Sequence, residues 1–473
     1  MSPFCLVLSA ALSGDDNMAL ICSVSGLRFT LDDCTPELIE DTVRSFVRHL
    51  SNGPLAVGWD GRQGGERFEE FVVATLQSEG RRVHRLGIVP TPTIQTWIAR
   101  RRLPGGIAIT ASHNPAEWQG LKFLGEGGLT LDATPFYREA RSGGASLTNG
   151  HRTGVHPVRW MHFQAISEHI RTLWRHRWLQ NLREKIRHRA FHVVVDAVNA
   201  AGSFILPQLL QHLYCRVTLL HANGSGIFPH SPEPLPQHLQ ELATSVQRYS
   251  ADIGIGVDPD ADRLVLVDES GKCLWEELTI ALAAQTVLEH AHQACANRYN
   301  PVVVVNYSTS SVIDDIAQAY RAQVLRSPVG EANVVRRLQE SLGVIGGEGS
   351  GGVILPHIHY GRDALVGTVL VLGLMAHCQK RLSELVTALP RPIMRKHVLA
   401  QPQSVSTLLE QVFAYIAQHA EEIRRDDGLY ARFGKSWFHL RPSNTEPVVR
   451  FIVEAPTQKE VEQLEAMILP LLR

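Results

Sequence analysis

The chain has 473 residues, 44% hydrophobic and 20% charged, with a formal net charge of −1. That length points to several domains with ample apolar material for their cores, and the near-neutral balance argues against a general polyanion binder while leaving room for a local basic cleft. Seven scattered cysteines without a C-x-x-C pair suit a reduced compartment, and no apolar run approaches the length of a membrane span. Phe4 to Leu12 is apolar but lacks a basic leader, and Asp15-Asp16 follows at once. Residues 1–17 therefore read as a poorly ordered extension ahead of Met18 and the strand-like Ala19-Leu20-Ile21-Cys22, and a cytoplasmic enzyme is the expectation.

After that opening strand, Leu55–Asp60 reads as a strand, Glu66–Ser78 as a helix carrying Phe68, Val72 and Leu76, and Val83–Val89 as a strand. Thr91–Arg101 follows as a helix and Ile107–Ser112 as a strand. Strand and helix alternating through short links predict a mainly parallel sheet. A Gly/Ser-rich stretch from Arg141 to Gly154 predicts a loop. Residues 159–191 are basic, with Trp160, Phe163, Ile166, Ile170, Leu173 and Trp174 at helical spacing. Such a segment binds membrane or nucleic acid, or it is an interdomain helix with a solvated face; the second is the expectation. The strand–helix pattern restarts at His192–Asp196 and again near Ile280, which suggests three related units although residue identity between them is low. From about Pro390 strands follow one another directly, and Thr457-Gln458-Lys459-Glu460 forms a capping box that opens a last helix.

Several stretches carry chemistry. Gly106–Ile109 is a buried strand and Asn114-Pro115 a turn, so Ser112 sits at a strand end beside His113 and Asn114, where a hydroxyl attacks or carries a group. The order is not the G-x-S-x-G of a hydrolase elbow. Asp258, Asp260 and Asp262 alternate and can turn three hard oxygens toward one cation; Mg²⁺ takes such oxygens at about 2.0–2.1 Å. An EF-hand reading fails, because Arg263 stands where that loop needs glycine and the flanks are strand-like. An acidic solvated turn is disfavoured by Val257 before and Leu264–Val267 after. Gly346–Gly352 is a Gly-rich turn in which Glu348 and Ser350 can bond vicinal sugar hydroxyls. Arg441, Ser443, Asn444 and Thr445 lie between two strands and offer the donors that a phosphate accepts.

In this order, from about residue 19 to the end, these stretches resemble the α-D-phosphohexomutases, the family of phosphoglucomutase, phosphomannomutase and phosphoglucosamine mutase. Thr110–Pro115 resembles the phosphoserine loop, Asp258–Arg263 the metal loop D-x-D-x-D-R, and Gly347–Gly351 the sugar loop G-E-x-S-G. Arg441–Pro447 resembles the phosphate loop R-x-S-x-T-x-P, and Ser25-Gly26-x-Arg28 the first active-site segment. Leu86–Thr93 is also similar. Phe29 replaces a usual glycine, and Gly352 replaces a histidine that several bacterial members carry, for which His357, His359 or Lys122 could compensate.

The resemblance implies three related mixed α/β domains plus a smaller C-terminal α+β domain around a central active-site cleft, with boundaries at 18–155, 156–272, 273–390 and 391–473. It implies that Ser112 carries a phosphoryl group and that Asp258, Asp260, Asp262 and Ser112 hold Mg²⁺. His113, Lys122, Arg28 and Arg263 would serve proton transfer and charge shielding, and Glu348, Ser350, Arg441, Ser443, Asn444 and Thr445 would bind substrate. The implied reaction exchanges phosphate between the 1- and 6-positions of a hexose phosphate, with hexose 1,6-bisphosphate as activator, in a monomer or homodimer that needs no nucleic acid or membrane. A metal-dependent sugar phosphatase and a catalytically impaired sugar-phosphate binding protein are the alternatives.

Overall fold

The computed structural model describes residues 20–30, 32–142, 157–295, 300–400, 404–443 and 448–472. The expected extension at 1–17 and most of the 141–154 loop lie outside them.

Short runs of Val, Ile and Gly bounded by turns become strands buried on both faces, as parallel sheets require. The first sheet sets Val83–Ile88, Leu55–Trp59, Gly105–Ile109 and Trp118–Leu124 side by side. The second sets Arg216–Leu220, His192–Asp196, Ile253–Val257 and Leu264–Asp268 in the same pattern. The third repeats it with Gln323–Ser327, Val302–Asn306, Ile345–Glu348 and Gly352–Ile354. In each, the first three strands are parallel and the fourth returns antiparallel. Three related units are thus real in topology where residue identity is silent. The turn between third and fourth strands holds Ser112 in the first unit, Asp258–Arg263 in the second and Gly349–Gly351 in the third. One topological position therefore delivers three of the four chemical loops.

The first sheet is longer than the others. A hairpin, Ile21–Ser23 and Gly26–Thr30, extends one edge, and Thr130–Leu131 pairs with Trp118–Leu124. On the other edge Val158–Trp160 runs parallel to Val83–Ile88. That strand lies beyond the boundary expected at 155, so the first sheet reaches past it. The basic stretch then forms two helices, His162–Leu173 and Arg177–Arg189, with Ile166, Ile170 and Leu182 buried in the shared core. This agrees with the interdomain reading.

Helix Ala364–Cys378 was not expected. It is apolar on every side, with Ala364 to Ala376 all buried, so it has no stripe for periodicity to detect. It packs between helices Glu277–Cys295 and Arg177–Arg189. A continuous apolar core, from Ala56 through Leu264 to Leu385, joins the first three units. The fourth sheet is antiparallel, in the order Ile393–Ala400, Val448–Ala455, Ser436–Pro442, Leu429–Phe433, Glu422–Arg424, and has its own core around Phe438, Leu440 and Phe451. Thr457 closes the expected capping box with Glu460. Among the described residues no helix is long and apolar enough to cross a membrane.

Candidate active site

Ser112 follows the strand Gly105–Ile109 and adopts a left-handed backbone, φ 51°. A non-glycine residue holds that conformation only when its surroundings over-determine it. Here Ser112 N donates to Thr110 Oγ1 (2.8 Å), whose own hydroxyl donates to Asp60 Oδ2 (2.6 Å). Arg62, paired with Asp60 at 2.9 Å and fully buried, donates to the Ser112 carbonyl at 2.6 Å. The sequence offered no sign of this Asp60–Arg62 brace beyond a Gly/Arg turn. Ser112 Oγ then lies 3.3 Å from His113 Nδ1 and donates to Asp258 Oδ2 at 3.1 Å.

Arg28 is in the middle of the strand Gly26–Thr30. Strand alternation explains Phe29: Leu27 and Phe29 enter the first core, where Phe29 meets Phe68 at 5.5 Å, while Arg28 faces the cleft and donates to Asn114 Oδ1 at 3.0 Å. Burial, then the nearby Arg263, lowers the Arg28 pKa to about 10.

Asp258, Asp260 and Asp262 are buried, with carboxylate oxygens within 4.8 Å of one another. Asp258 Oδ1 accepts from the Asp262 and Arg263 backbone N–H groups at 3.1 Å each. Lys122 Nζ pairs with Asp260 Oδ2 (2.6 Å) and Asp262 Oδ2 (3.0 Å), and Thr91 Oγ1 donates to Asp260 Oδ2 at 2.7 Å. Thr91 N also donates to the Asp260 carbonyl, so the Leu86–Thr93 stretch docks the acidic loop onto the first unit. Asp260 Oδ1 and Asp262 Oδ1 are buried without hydrogen-bond partners. Burial and the two neighbouring aspartates push the Asp258 carboxyl well up, the response of crowded carboxylates. Burial works to raise Asp262 as well, but Arg362 and Lys122 hold it well below the usual carboxylate range. Two orphaned oxygens in an all-oxygen set fit a hard divalent cation. Burial would lower the Lys122 pKa, yet Asp260 and Asp262 outweigh it and raise it, so Lys122 is held as ammonium. His113 is pushed well down by burial and by Arg263 and Arg28, so its imidazole is neutral. Arg263 Nε stands 3.9 Å from Asp258 Oδ2 and 4.0 Å from Asp262 Oδ1.

Beside the sugar loop stands a residue the sequence reading missed. Arg362 reaches Asp262 Oδ2 and Glu348 Oε2, both at 2.6 Å, and Glu331 at 3.3 Å. A Cβ on Gly352 would lie 2.3 Å from Arg362 Cδ. Gly352, at the position of the expected histidine, thus makes room for a guanidinium. Neither His357 nor His359 lines the cleft. His359 is buried against Asp363 at 3.0 Å, and the His357 ring lies tilted against that of His176, their centroids 5.2 Å apart. Glu348 Oε1 accepts from Asn306 Nδ2 (2.8 Å) and Gly330 N (3.0 Å), which fixes its carboxylate at the cleft wall, where Ser350 also lies.

On the fourth sheet Arg441 is buried, pairs with Asp427 at 3.1 Å through Nε, and leaves Nη2 without a hydrogen-bond partner among the described residues. Arg450 stands directly opposite on the neighbouring strand and, with Arg441 and Ser443, lines the cleft. Like charges directly opposite each other across a strand pair repel, and an anion beside them relieves that repulsion. Arg450 was not foreseen, because it sits beyond the motif on the return strand. Asn444 and Thr445 lie outside the described residues.

All four units meet at a cleft of about 540 Å³, whose walls include Arg28, Lys122, Arg263, Glu348, Arg362 and Arg441. Residues 21–135, 168–271 and 276–393 match the phosphoglucomutase/phosphomannomutase alpha/beta/alpha domains I, II and III, and residues 397–471 match the C-terminal domain of that family. A phosphoglucomutase/phosphomannomutase of Thermococcus kodakarensis is 33% identical over 430 residues, 86% of this chain and 87% of that one. A probable phosphoglucosamine mutase of Methanopyrus kandleri is 29% identical over 445 residues, 93% and 95% of the two chains. The fold superposes on a phosphoglucomutase/phosphomannomutase family protein from Burkholderia thailandensis with a TM-score of 0.76 at 21% identity, covering 96% of each chain. The Aspergillus fumigatus N-acetylphosphoglucosamine mutase, determined with GlcNAc-6P and magnesium, gives 0.59 at 14% identity over 100% and 99% of the chains. The chain, with its serine and aspartate triad buried behind one arginine-lined cleft, belongs to the phosphoglucomutase/phosphomannomutase family of phosphohexomutases.

Proposed function

We propose that this enzyme exchanges a phosphoryl group between the 1- and 6-oxygens of a hexose phosphate, with Ser112 as the carrier. The observation that carries the reading is that Ser112 Oγ lies 3.1 Å from Asp258 Oδ2, the two buried directly behind His113 and Arg263, which line a cleft shared by all four units. In the first half-reaction the P–O bond to Ser112 Oγ breaks as one forms to the sugar hydroxyl, whose proton passes to the freed serine oxygen; in the second the P–O bond to the sugar oxygen breaks as one re-forms to Ser112 Oγ, and the serine proton passes back to the sugar oxygen. The bisphosphorylated sugar turns over and returns its other phosphoryl group to Ser112. Such transfers depend on positioning and on stabilising charge more than on a strong nucleophile. We assign His113, Lys122, Arg28 and Arg263 to shielding that charge and to moving the proton. Asp258, Asp260, Asp262 and Ser112 are the residues that would hold Mg²⁺, which when bound neutralises charge on the phosphoryl group. Hexose 1,6-bisphosphate would prime Ser112.

Arg441, with Arg450 and Ser443 beside it, suits the phosphate that is not reacting, in either orientation of the sugar. Glu348 and Ser350 suit the sugar hydroxyls, and binding there competes with Arg362 for the Glu348 carboxylate. The substrates we assign are glucose and mannose phosphates, in keeping with the name of the 33% identical Thermococcus relative. A coupled assay across glucose, mannose and glucosamine 1-phosphates, with Mg²⁺ and a trace of hexose 1,6-bisphosphate, tests this. Turnover of the first two is expected. Release of inorganic phosphate in step with sugar consumption would make the enzyme a phosphatase, and no turnover of any of the three would overturn the reading.

A further inference from the structure

Outside the cleft, two further groups of metal-ligating side chains stand among the described residues. In the first, His169 Nε2 and His359 Nε2 both meet Asp363 Oδ2, at 2.8 and 3.0 Å, and Thr93 Oγ1 meets His169 Nδ1 at 2.9 Å. Neutral imidazoles that each donate one N–H to the carboxylate account for those contacts. The second group, Asp196, His221 and His230, is different. His230 Nδ1 lies 2.8 Å from the Ser231 carbonyl, which only accepts, so Nδ1 carries the proton. His230 Nε2 then faces Asp196 Oδ2 at 3.0 Å, and an ionised carboxylate also only accepts. A neutral imidazole has one N–H, so the second contact calls for a second proton or for a cation between the two atoms.

His221 brings a second imidazole to the same spot. His221 Nε2 stands 3.1 Å from Glu241 Oε2, the rings of His221 and His230 meet edge to face at 5.5 Å, and donor atoms of Asp196, His221 and His230 lie within 4.8 Å of one another. Zn²⁺ binds His nitrogen and carboxylate oxygen at about 2.0–2.2 Å, which sets tetrahedral neighbours about 3.3 Å apart, close to the contact between His230 and Asp196. A ligating imidazole characteristically donates its other N–H to a carbonyl, as His230 does to Ser231. We propose that Asp196, His221 and His230 bind Zn²⁺ or a similar divalent transition ion. Imidazole donors separate this site in kind from the oxygen-only triad of the cleft.

The site has a place in the architecture. Asp196 ends a strand and pairs with Gly256, two residues before Asp258. In the loop between His221 and His230, Gly226 approaches the first unit so closely that a Cβ there would lie 2.0 Å from the Gly61 carbonyl. The Phe228 ring sits 5.6 Å from the Arg62 guanidinium, the same group that holds the Ser112 carbonyl. An ion at this point fastens the loop that braces the nucleophile turn.

The test titrates Co²⁺ into the full-length protein held in excess Mg²⁺, which occupies the aspartate triad. One tightly retained equivalent with the visible absorption of four-coordinate Co²⁺, displaced by Zn²⁺ and accompanied by a rise in Tm, is the expected result. The double variant His221→Ala/His230→Ala is expected to lose all three signals. X-ray absorption at the zinc edge of the wild-type protein is expected to read two imidazoles and oxygen donors, and needs no variant to fold. Absence of retained metal, retention unchanged in the folded double variant, or sulfur donors at the zinc edge would each overturn the proposal.

Discussion

Gly352 and Arg362 show how one missing side chain admits another. With a Cβ at position 352 only 2.3 Å from Arg362 Cδ, the guanidinium that joins Asp262 to Glu348 has to move. A misplacement on that scale at a reacting centre costs roughly 100-fold in rate. Gly352→Ala is therefore expected to lower kcat/KM by that order while leaving Tm nearly unchanged, which steady-state kinetics and a thermal melt check together; full activity would remove Arg362 from the site. Ser112→Ala removes the only oxygen assigned to carry the phosphoryl group. Exchange should fall to background and no serine phosphorylation should appear by intact-protein mass spectrometry, and normal turnover by this variant would end the nucleophile assignment. Phe29, a departure from the resembled pattern, turned out to be a core residue of the first unit, so its effect is on packing and not on cleft chemistry.

At the scale of elements, the fourth sheet meets the third unit through side chains that titrate. His439 is fully buried; its Nε2 donates to the Asp427 carbonyl at 2.7 Å, and its Nδ1 accepts from the Ser308 hydroxyl at 2.9 Å. Burial lowers its pKa from 6.5 to about 4, with Asp427 opposing. As pH falls below 6.5 the unfolded chain binds the proton before the folded one does, so the stability tied to this neutral imidazole is complete above that value and declines toward about 4. The decline is at most about ten-fold in the unfolding constant per pH unit. Urea midpoints at pH 7.5 and 5 should differ more for the wild type than for His439→Gln; equal differences would show that another group sets the slope. The last helix depends on a local element instead. Thr457 caps it by accepting from Glu460 N at 3.3 Å, so Thr457→Ala should cost about 1 kcal/mol, read as a lower denaturant midpoint.

For the whole molecule, the continuous apolar core under the first three units contrasts with the separate core of the fourth. Backbone bonds lace the three together: Thr91 N to the Asp260 carbonyl, Ala201 N to the Asp60 and Pro259 carbonyls, and Leu264 N to the Gly351 carbonyl. These bonds hold the serine, aspartate and sugar loops in one frame. The frame concentrates three carboxylates opposite Lys122, Arg263 and Arg362, so its charge balance changes when a divalent ion enters. Chelation with EDTA is expected to abolish exchange without unfolding the chain, and Mg²⁺ to restore it; activity that survives exhaustive chelation would contradict the role assigned to the triad.

The order of the loops, the residue types that do chemistry and the strand-to-turn setting of Ser112 were legible in the sequence, because each depends on a few neighbouring residues and on local periodicity. The topology common to three units was only hinted at, since identical strand orders need no shared side chains. Helix Ala364–Cys378 escaped because burial on all sides erases its period. The Asp60–Arg62 brace, the Arg441–Arg450 pair and the reach of Arg362 to an aspartate 100 positions earlier were decided by tertiary structure alone. Buried charges take their partners from whatever the packed units bring within a few ångströms, and linear spacing carries no record of that distance.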